Sequence, residues 1–314
     1  MPKLFVYDTS RRVTTNFTVA FARGAVKANN DPFFENKPKW EVKHRSIQHY
    51  IENGMPDELE PGVDAIATLG ILRGTGLLLK QAKLRGLDYY YMDHAYFSPG
   101  YSGKGWMRIT KNGHACTTLR DVNNGRWKGF HKNNGYVKEP WKSNSERGSA
   151  IVVCPPTHAV SWFYNEEQDW GEQVVKTLKA MLPTSEHSRI VVRRKPKEPI
   201  VDGKGNLLEL REYSQDGTLA QALDNAHCVI AYNSMVALEA TLKGIPVITS
   251  DHSCCHRVSF SLADFANTVM PNCFNTEPQN RQALLNWLAY NQWKMKEIEE
   301  GKAWVMLQEN YCGY

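Results

Sequence analysis

Short runs of consecutive apolar residues alternate along this chain with longer stretches in which apolar positions recur every three or four residues. The first kind reads as strands buried on both faces and the second as helices packed on them, the rhythm of a doubly wound α/β fold. Lys3 to Tyr7 predicts a strand, Thr15 to Ala28 a helix, Trp40 to His44 a strand, and Asp64 to Gly70 another. A helix from Leu77 to Arg85, stopped at Gly86, leads into a strand from Asp88 to Met92. The rhythm resumes with a strand from Ala150 to Cys154, an amphipathic helix from Trp170 to Leu182, a strand from Arg189 to Val192 and a helix from Thr218 to Asn225. Residues 281–298 predict one amphipathic helix rich in Trp and Leu, with Trp304 and Leu307 on a closing helix.

The stretch from His227 to Asp251 is the clearest unit. Cys228 to Ala231 is a buried strand, Asn233 and Ser234 stand where a helix is capped, Gly244 ends that helix, Pro246 blocks its extension, and Val247-Ile248 opens the next strand. A helix start at the carboxyl end of a parallel strand gathers unpaired N–H groups and the positive end of the helix dipole, which suits an anion. Glu239 follows five residues after Ser234, within reach of a sugar hydroxyl. The plain alternative is an ordinary βαβ unit with a polar cap. Arg193, Arg194, Lys195 and Lys197 follow a strand directly, and at a cleft such cations would neutralise a diphosphate.

Between the two rhythmic halves, residues 98–147 carry ten Lys+Arg against three acids, interleaved with aromatics. Asn123-Asn124-Gly125 and Asn133-Asn134-Gly135 predict turns, hence a loop-rich insert or hairpin. Cations suit phosphates and flat rings stack on bases or sugars. A solvated basic face over packed aromatics is the bland reading. Pro140 to Ser149 is polar and reads as an interdomain linker. Asp93-His94 directly follows a strand, where α/β sheets keep their ligands.

Composition narrows this. A chain of 314 residues suits two domains, and its 42% hydrophobic content supplies real cores. No apolar run approaches the length of a membrane span, and the N-terminus reads as a strand rather than a signal peptide, so a cytoplasmic protein without membrane contact is expected. Seven cysteines at scattered spacing predict reduced thiols. Cys254-Cys255 between His252 and His256 has the residue types of a metal site but not the spacing, so no metal is expected. Net charge is +5, with residues 1–149 at +9 and the remainder at −4, which points the first half at a polyanion.

The motif Tyr232-Asn233-Ser234, Val236-Ala237-Leu238-Glu239-Ala240 and Lys243-Gly244-Ile245-Pro246-Val247-Ile248 resembles the donor segment of the GT-B glycosyltransferase superfamily, over about residues 150–250. It is similar to the pattern of capsule-polysaccharide transferases. More weakly, around 69–97 and 281–304, the chain resembles bacteriophage transferases that glycosylate hydroxymethylated DNA bases. The resemblance implies two Rossmann-like domains facing a central cleft: residues 1–145 for the acceptor, 146–276 for the donor, and C-terminal helices 277–314 crossing back to the first. It implies a monomeric enzyme that uses a nucleotide-sugar co-substrate, a UDP-sugar by expectation, without a metal or other cofactor. Donor contacts would fall to Arg193, Lys195, Lys197, Asn233, Ser234 and Glu239.

The acceptor would be a 5-hydroxymethyl base of double-stranded DNA. Asp93 is the expected general base, with His94 second. Tyr96, Phe97, Lys104, Trp106, Arg108, Lys111, Arg126 and Lys128 would face the DNA, the aromatics filling the gap left by a flipped base. An acidic polysaccharide is the alternative acceptor. A non-catalytic nucleic-acid-binding protein and a sugar-phosphate epimerase are the alternatives of other kinds.

Overall fold

The computed structural model describes residues 1–8, 12–47, 52, 59–72, 74–100, 105–166, 169–262 and 272–309. The chain divides into two compact units. The first comprises Met1–Cys116, Val201–Leu207 and Leu288–Tyr314, and the second Thr117–Ile200 and Leu208–Trp287. Both are α/β with mainly parallel sheets, the class the sequence pattern predicts.

In the first unit, strands β1 (Lys3–Asp8), β2 (Glu41–Ser46), β3 (Ala65–Leu69) and β4 (Asp88–His94) run parallel. Strands β5 (Trp106–Lys111) and β12 (Gln292–Lys294) extend the sheet antiparallel, in the order β12-β5-β4-β3-β1-β2. Leu4 to Tyr7 and Tyr89 to Met92 are all buried, as expected of strands covered on both faces. Helix α1 (Arg12–Ala28) packs on β1 and β2, and α2 (Thr75–Leu84) on β3 and β4. The closing helices α9 (Met295–Glu299) and α10 (Lys302–Glu309) lie on α1. Trp304 is fully buried there, with its ring 4.9 Å from Tyr90, 5.4 Å from Trp40 and 5.6 Å from Phe21.

The second unit holds β6 (Ala150–Cys154), β7 (Ile190–Val192), β10 (Ala226–Ala231) and β11 (Val247–Thr249) in one all-parallel sheet, ordered β11-β10-β6-β7. Helices α4 (His158–Tyr164), α5 (Trp170–Met181), α6 (Leu219–Asp224) and α7 (Val236–Leu242) follow these strands. Its core joins Ile151, Val153, Cys228 and Ile230 of the strands to Val174 and Leu178 of α5 and to Phe274. Strands β8 (Lys197–Val201) and β9 (Leu207–Glu212) form a separate two-stranded sheet.

Three expectations are corrected. Residues 98–147 do not form one insert. Trp106–Lys111 is a strand of the first sheet, while Gly125–Asn134 is helix α3 of the second unit, with Gly135 (φ +69°) ending it instead of turning a hairpin. The polar segment 140–149 is not a linker. Trp141 donates from Nε1 to the Phe274 carbonyl at 2.8 Å, and the buried Arg147 guanidinium donates to the carbonyls of Lys142 and Phe274.

Third, residues 281–298 are not one helix. Helix α8 (Arg281–Tyr290) stops, and Gln292–Lys294 instead pairs with the open edge of β5. The buried Gln292 side chain fixes this break, accepting from the Phe97 N–H at 2.8 Å and donating to the Phe97 carbonyl at 3.0 Å.

The C-terminal helices approach α1 at backbone distance. A Cβ on Gly24 would lie 2.0 Å from the Ile298 carbonyl oxygen and 3.2 Å from the Gly301 Cα. Gly24→Ala is therefore expected to destabilise the protein by about 2 kcal/mol or more. Gly129 of α3 has no atom near its Cβ position, so Gly129→Ala should be neutral or stabilising by up to about 1 kcal/mol. Urea unfolding of both variants checks this, and equal midpoints would refute the close contact.

His227 lies in the buried strand β10. Burial first, then the positive charges of Arg147 and Arg189, push its pKa down to about 4. The unfolded chain takes up this proton near pH 6.5 while the folded one does not, so stability is complete above that pH and falls as pH drops toward 4, by about 3 kcal/mol in all. His227→Asn should lack this component when urea stability is compared between pH 7.5 and pH 4.5. Parallel profiles for the two proteins would refute it.

Candidate functional site

In an open parallel sheet, ligands bind outside the carboxyl ends of the strands where the strand order reverses. In the second unit β6 leads to β7 on one side, and the chain then returns past β6 to β10 and β11. The reversal lies between β6 and β10. Beyond β6 come Pro155-Pro156-Thr157. Beyond β10 come Tyr232, Asn233 and Ser234, and then α7.

The local sequence builds this edge from small polar groups. Ser234 Oγ accepts from the Val236 N–H at 3.3 Å. Asn233 is half-buried, and its side chain has no partner among the described residues. Ser250, just past β11, donates from Oγ to the Tyr232 carbonyl at 2.6 Å and accepts from the His252 N–H at 3.2 Å, tying the ends of β10 and β11 together. The His252 ring stacks on Tyr164 at 3.9 Å and 18°, and the Tyr232 hydroxyl donates to Glu166 at 2.7 Å.

The two helix starts at this edge differ. At α4 the buried Glu198 accepts from the His158 N–H at 2.7 Å, so a carboxylate of the protein already occupies that end. At α7 the Val236 N–H is served by Ser234 Oγ and the next three N–H groups by the carbonyls of Ser234 and Met235, so that among the described residues no carboxylate occupies that end. Glu239 lies one turn into α7 with its head reaching solvent; surrounding protein raises its carboxyl pKa, opposed by Lys243.

The basic cluster is dispersed. Arg193 donates to the Gly217 carbonyl at 3.1 Å and the Asp216 carbonyl at 3.5 Å, bracing the turn before α6. Lys197 sits on β8 and pairs across to Glu212 of β9 at 3.2 Å, both well exposed. Lys195 is exposed with no side-chain partner among the described residues. Strand β7 is also separated from β10 by β6. The structure thus brings Asn233, Ser234 and Glu239 together and does not bring Lys197 to them.

In the first unit, Asp93 is fully engaged. Its Oδ2 accepts from the Tyr91 hydroxyl at 2.6 Å and from Arg108 at 3.1 Å, and its Oδ1 accepts from the His94 N–H at 2.7 Å. Burial pushes its pKa up, but Arg108, Tyr91 and His94 outweigh that and hold it below the ordinary carboxylate range. A carboxylate so stabilised is a weak base, which argues against the role expected of it. His94 is exposed at the end of β4.

The expected DNA face is also corrected. Tyr96 and Phe97 are core residues, the Tyr96 hydroxyl accepting from the Cys116 N–H at 2.7 Å. Arg108 and Lys111 are buried and paired, Lys111 with Asp88 at 2.7 Å. Trp106 is half-buried beneath Lys294, and Lys104 lies outside the described residues. Arg126 and the exposed Lys128 belong to α3 of the second unit.

The charge asymmetry fades as well. Divided where the units divide, the first holds 20 Lys+Arg against 16 Asp+Glu and the second 18 against 17, so +4 and +1 replace +9 and −4. Cys254 and Cys255 are buried with sulfurs 3.9 Å apart, and no metal-holding group of His, Cys, Asp or Glu occurs among the described residues. Among them no helix is long and apolar enough to cross a membrane.

Sequence reading missed Tyr164 and Ser250 and weighed His252 only as a metal ligand. Their signal was position: Ser250 and His252 follow an apolar strand directly, as Asn233 does.

No protein-family profile matches the chain, and no curated protein sequence matches it significantly. Solved structures do. Two are parts of Thermosulfurimonas dismutans KpsC. The β-Kdo 2,7 transferase is 10% identical, covering 96% of this chain and 98% of that one, with a TM-score of 0.41. The β-Kdo 2,4 transferase is 12% identical, covering 93% and 91%, with a TM-score of 0.42. A third is the branched-chain amino acid transporter substrate binding protein LivJ of Streptococcus pneumoniae, 10% identical, covering 96% and 87%, with a TM-score of 0.26. Likenesses of this size assign no family, and function has to be read from the chain's own residues.

The pairing of Asp93 makes a direct prediction. Arg108→Met should destabilise the protein by about 2 to 4 kcal/mol, because it strands a partly buried carboxylate. The double variant Arg108→Met/Asp93→Asn should recover part of that loss. A double-mutant cycle by urea unfolding measures the coupling, and strictly additive losses would show that the pair is not coupled.

Proposed function

We propose that this protein is a nucleotide-sugar-dependent glycosyltransferase whose donor is held by the second unit and whose acceptor is a carbohydrate hydroxyl. The observation that carries the reading is the strand reversal between β6 and β10, where Asn233, Ser234 and the start of α7 form one polar edge with Glu239 a turn away. The Asn233 amide and the Ser234 hydroxyl suit the oxygens of an activated phosphate. Glu239 suits the hydroxyl pair of a ribose, since a carboxylate with a raised pKa gains from the hydrogen bonds such hydroxyls donate. Lys195 and Arg193 at the end of β7 add positive potential to the same sheet edge.

The nucleotide is a good leaving group once donors and cations meet the charge it develops. Base stacking is available from the half-buried Tyr164 ring and its His252 neighbour. UDP is the first nucleotide to try, on the resemblance of the motif around Ser234 and Glu239.

A DNA acceptor is set aside in favour of the polysaccharide alternative. Recognition of a duplex rests on many exposed cations, and a flipping enzyme needs an aromatic or apolar wedge. Of the eight residues expected to supply both, Arg108, Lys111, Tyr96 and Phe97 are buried inside the first unit, with Arg108, Lys111 and Tyr96 bonded to neighbours there, and Arg126 and Lys128 belong to the second. A carbohydrate acceptor requires neither.

Calorimetry against UDP-, GDP-, ADP- and CMP-sugars tests the donor. One class should bind, with free nucleotide released on turnover. Asn233→Ala and Glu239→Ala should each weaken binding by about tenfold, the worth of one hydrogen bond to a charged group. Binding of no donor would refute the reading, and unaltered affinity in both variants would move the site elsewhere. Mass spectrometry of oligosaccharides and of hydroxymethylated DNA after incubation decides the acceptor.

A further inference from the structure

The parallel sheet of the second unit ends at β7. Among the described residues β7 has β6 on one side and no strand on the other. Val192 stands opposite Val153, and the N–H of Arg193 donates to the Val153 carbonyl at 2.8 Å. Successive strand residues aim their backbone groups to alternate sides, so the N–H and carbonyl of Val192 are aimed at the open edge. The side chains there are apolar and in water, with Val191 41% and Val192 45% exposed. An edge strand is ordinarily protected by a charged residue or a proline within it. Ile190-Val191-Val192 carries neither.

Helix α5 forms the other wall of a groove beside this edge, ≈ 420 Å³ in volume. Its apolar lining includes Val175 and Val192, and its charged lining is Glu172, Lys176, Lys179 and Arg194. Glu172, Val175, Lys176 and Lys179 recur at helical spacing, so a single stripe of α5 faces the groove. Lys176 and Lys179 are exposed and have no ion-pair partner among the described residues. Arg194 lies 5.4 Å over the Tyr213 ring. Three cations against the single carboxylate of Glu172 leave the groove positive, most strongly at the Lys176–Lys179 end.

We propose that the β7 edge is a docking site for an acidic, extended segment of another protein, which adds to the sheet as a further strand. The outward backbone groups of Val192 hold the segment by ladder hydrogen bonds, and its side chains fall alternately on the two faces of the sheet. Those on the α5 face lie over Val175 and meet Lys176 and Lys179 with carboxylates. Those on the other face pack on Val191. The segment is therefore recognised by alternating acidic and apolar residues. Charge decides against a second copy of this chain. Antiparallel pairing of β7 with itself about a two-fold axis would set α5 beside its twin on one face, cation against cation. Three strand residues span only about 10 Å, which suits a weak and reversible contact. Nothing in this docking depends on the glycosyltransferase reading, and it would stand if that reading failed.

The test uses the full-length protein and a fluorescently labelled peptide of alternating Val and Glu, followed by anisotropy at low salt. A matched peptide of alternating Val and Lys is the comparison. The Val/Glu peptide should bind about tenfold more tightly or better, and its affinity should fall as salt is added. Val192→Pro removes the outward N–H at a position where an edge strand accepts proline, and should weaken binding by about fivefold or more. Lys176→Glu/Lys179→Glu changes two exposed helix positions and should reverse the preference, so that the Val/Lys peptide binds the more tightly of the two.

Binding of neither peptide, or equal binding of both, would overturn the proposal. So would an unchanged preference in Lys176→Glu/Lys179→Glu. Undiminished binding to Val192→Pro would show that charge alone attracts the peptide and would overturn strand addition. A wild-type dimer in sedimentation equilibrium that Val192→Pro dissociates would assign the edge to a second copy and overturn the proposal as well.

Discussion

A parallel strand cannot reach its neighbour through a tight turn. It needs a crossover of a dozen residues or more, and that requirement orders everything else in this protein. Each crossover returns the chain to the starting edge of the sheet, so every strand of the two parallel sets delivers its carboxyl end to one side. In both units the second strand falls on one flank of the first, and the third and fourth on the other. Two neighbouring strand ends are thereby left with their outgoing chains diverging. The gap needs no special residue to open it. What fills it is decided by the two or three residues past each strand, which are Asp8 and Gly70 in one unit and Pro155 and Tyr232-Asn233-Ser234 in the other.

Packing explains why so much of the suggestive chemistry lies elsewhere. Buried strands need long side chains that can bridge to distant backbone, and arginine and lysine do this while keeping their charge satisfied. Arg281 is fully buried and donates to the carbonyls of Thr241, Leu242 and Glu139. Arg147 does the same for the segment around Phe274. Arg108 and Lys111 are each matched to an aspartate on β4. These cations hold loops and strands in place, and none is left over for a polyanion. A count of Lys and Arg along the chain cannot separate a cation that binds outward from one that binds its own backbone.

The legibility of the sequence follows the same line. Strands buried on both faces announce themselves as apolar runs, so Ala150–Cys154, Lys3–Asp8, Ala65–Leu69 and Asp88–His94 stood within two residues of their expected ends. The helix start expected at Thr218 is where the structure forms a capping box with Gln221. The failures came where one pattern serves two structures. Trp106 to Lys111 alternates charge and apolar residues as a loop over a core would, and the structure uses it as a strand because β4 offers an open edge. Gln292-Trp293-Lys294 continues a helical spacing, yet a side-chain amide bonded to the Phe97 backbone ends the helix there. Asn233, Ser234 and Glu239 were readable because the strand–turn–helix unit that holds them is local. Asp8 and His44 stand 36 positions apart and meet only through the register of β1 with β2.

The two reversals also differ in the charge they tolerate. In the first unit the strand ends carry two carboxylates, Asp8 on β1 at the reversal and Asp93 on β4 two strands away, and Asp93 is held ionised by Arg108. An activated phosphate placed at the reversal would meet the carboxylate of Asp8 already in position. At the second, the turn into α7 carries a neutral amide and a neutral hydroxyl, while the carboxylate Glu198 is engaged at a different helix. The helix dipole then adds a favourable field for an anion, an effect that survives only where no internal carboxylate has already cancelled it. A phosphate would therefore meet less opposing charge at the second reversal than at the first, a difference set by which strand ends carry aspartate and not by the net charge of either unit.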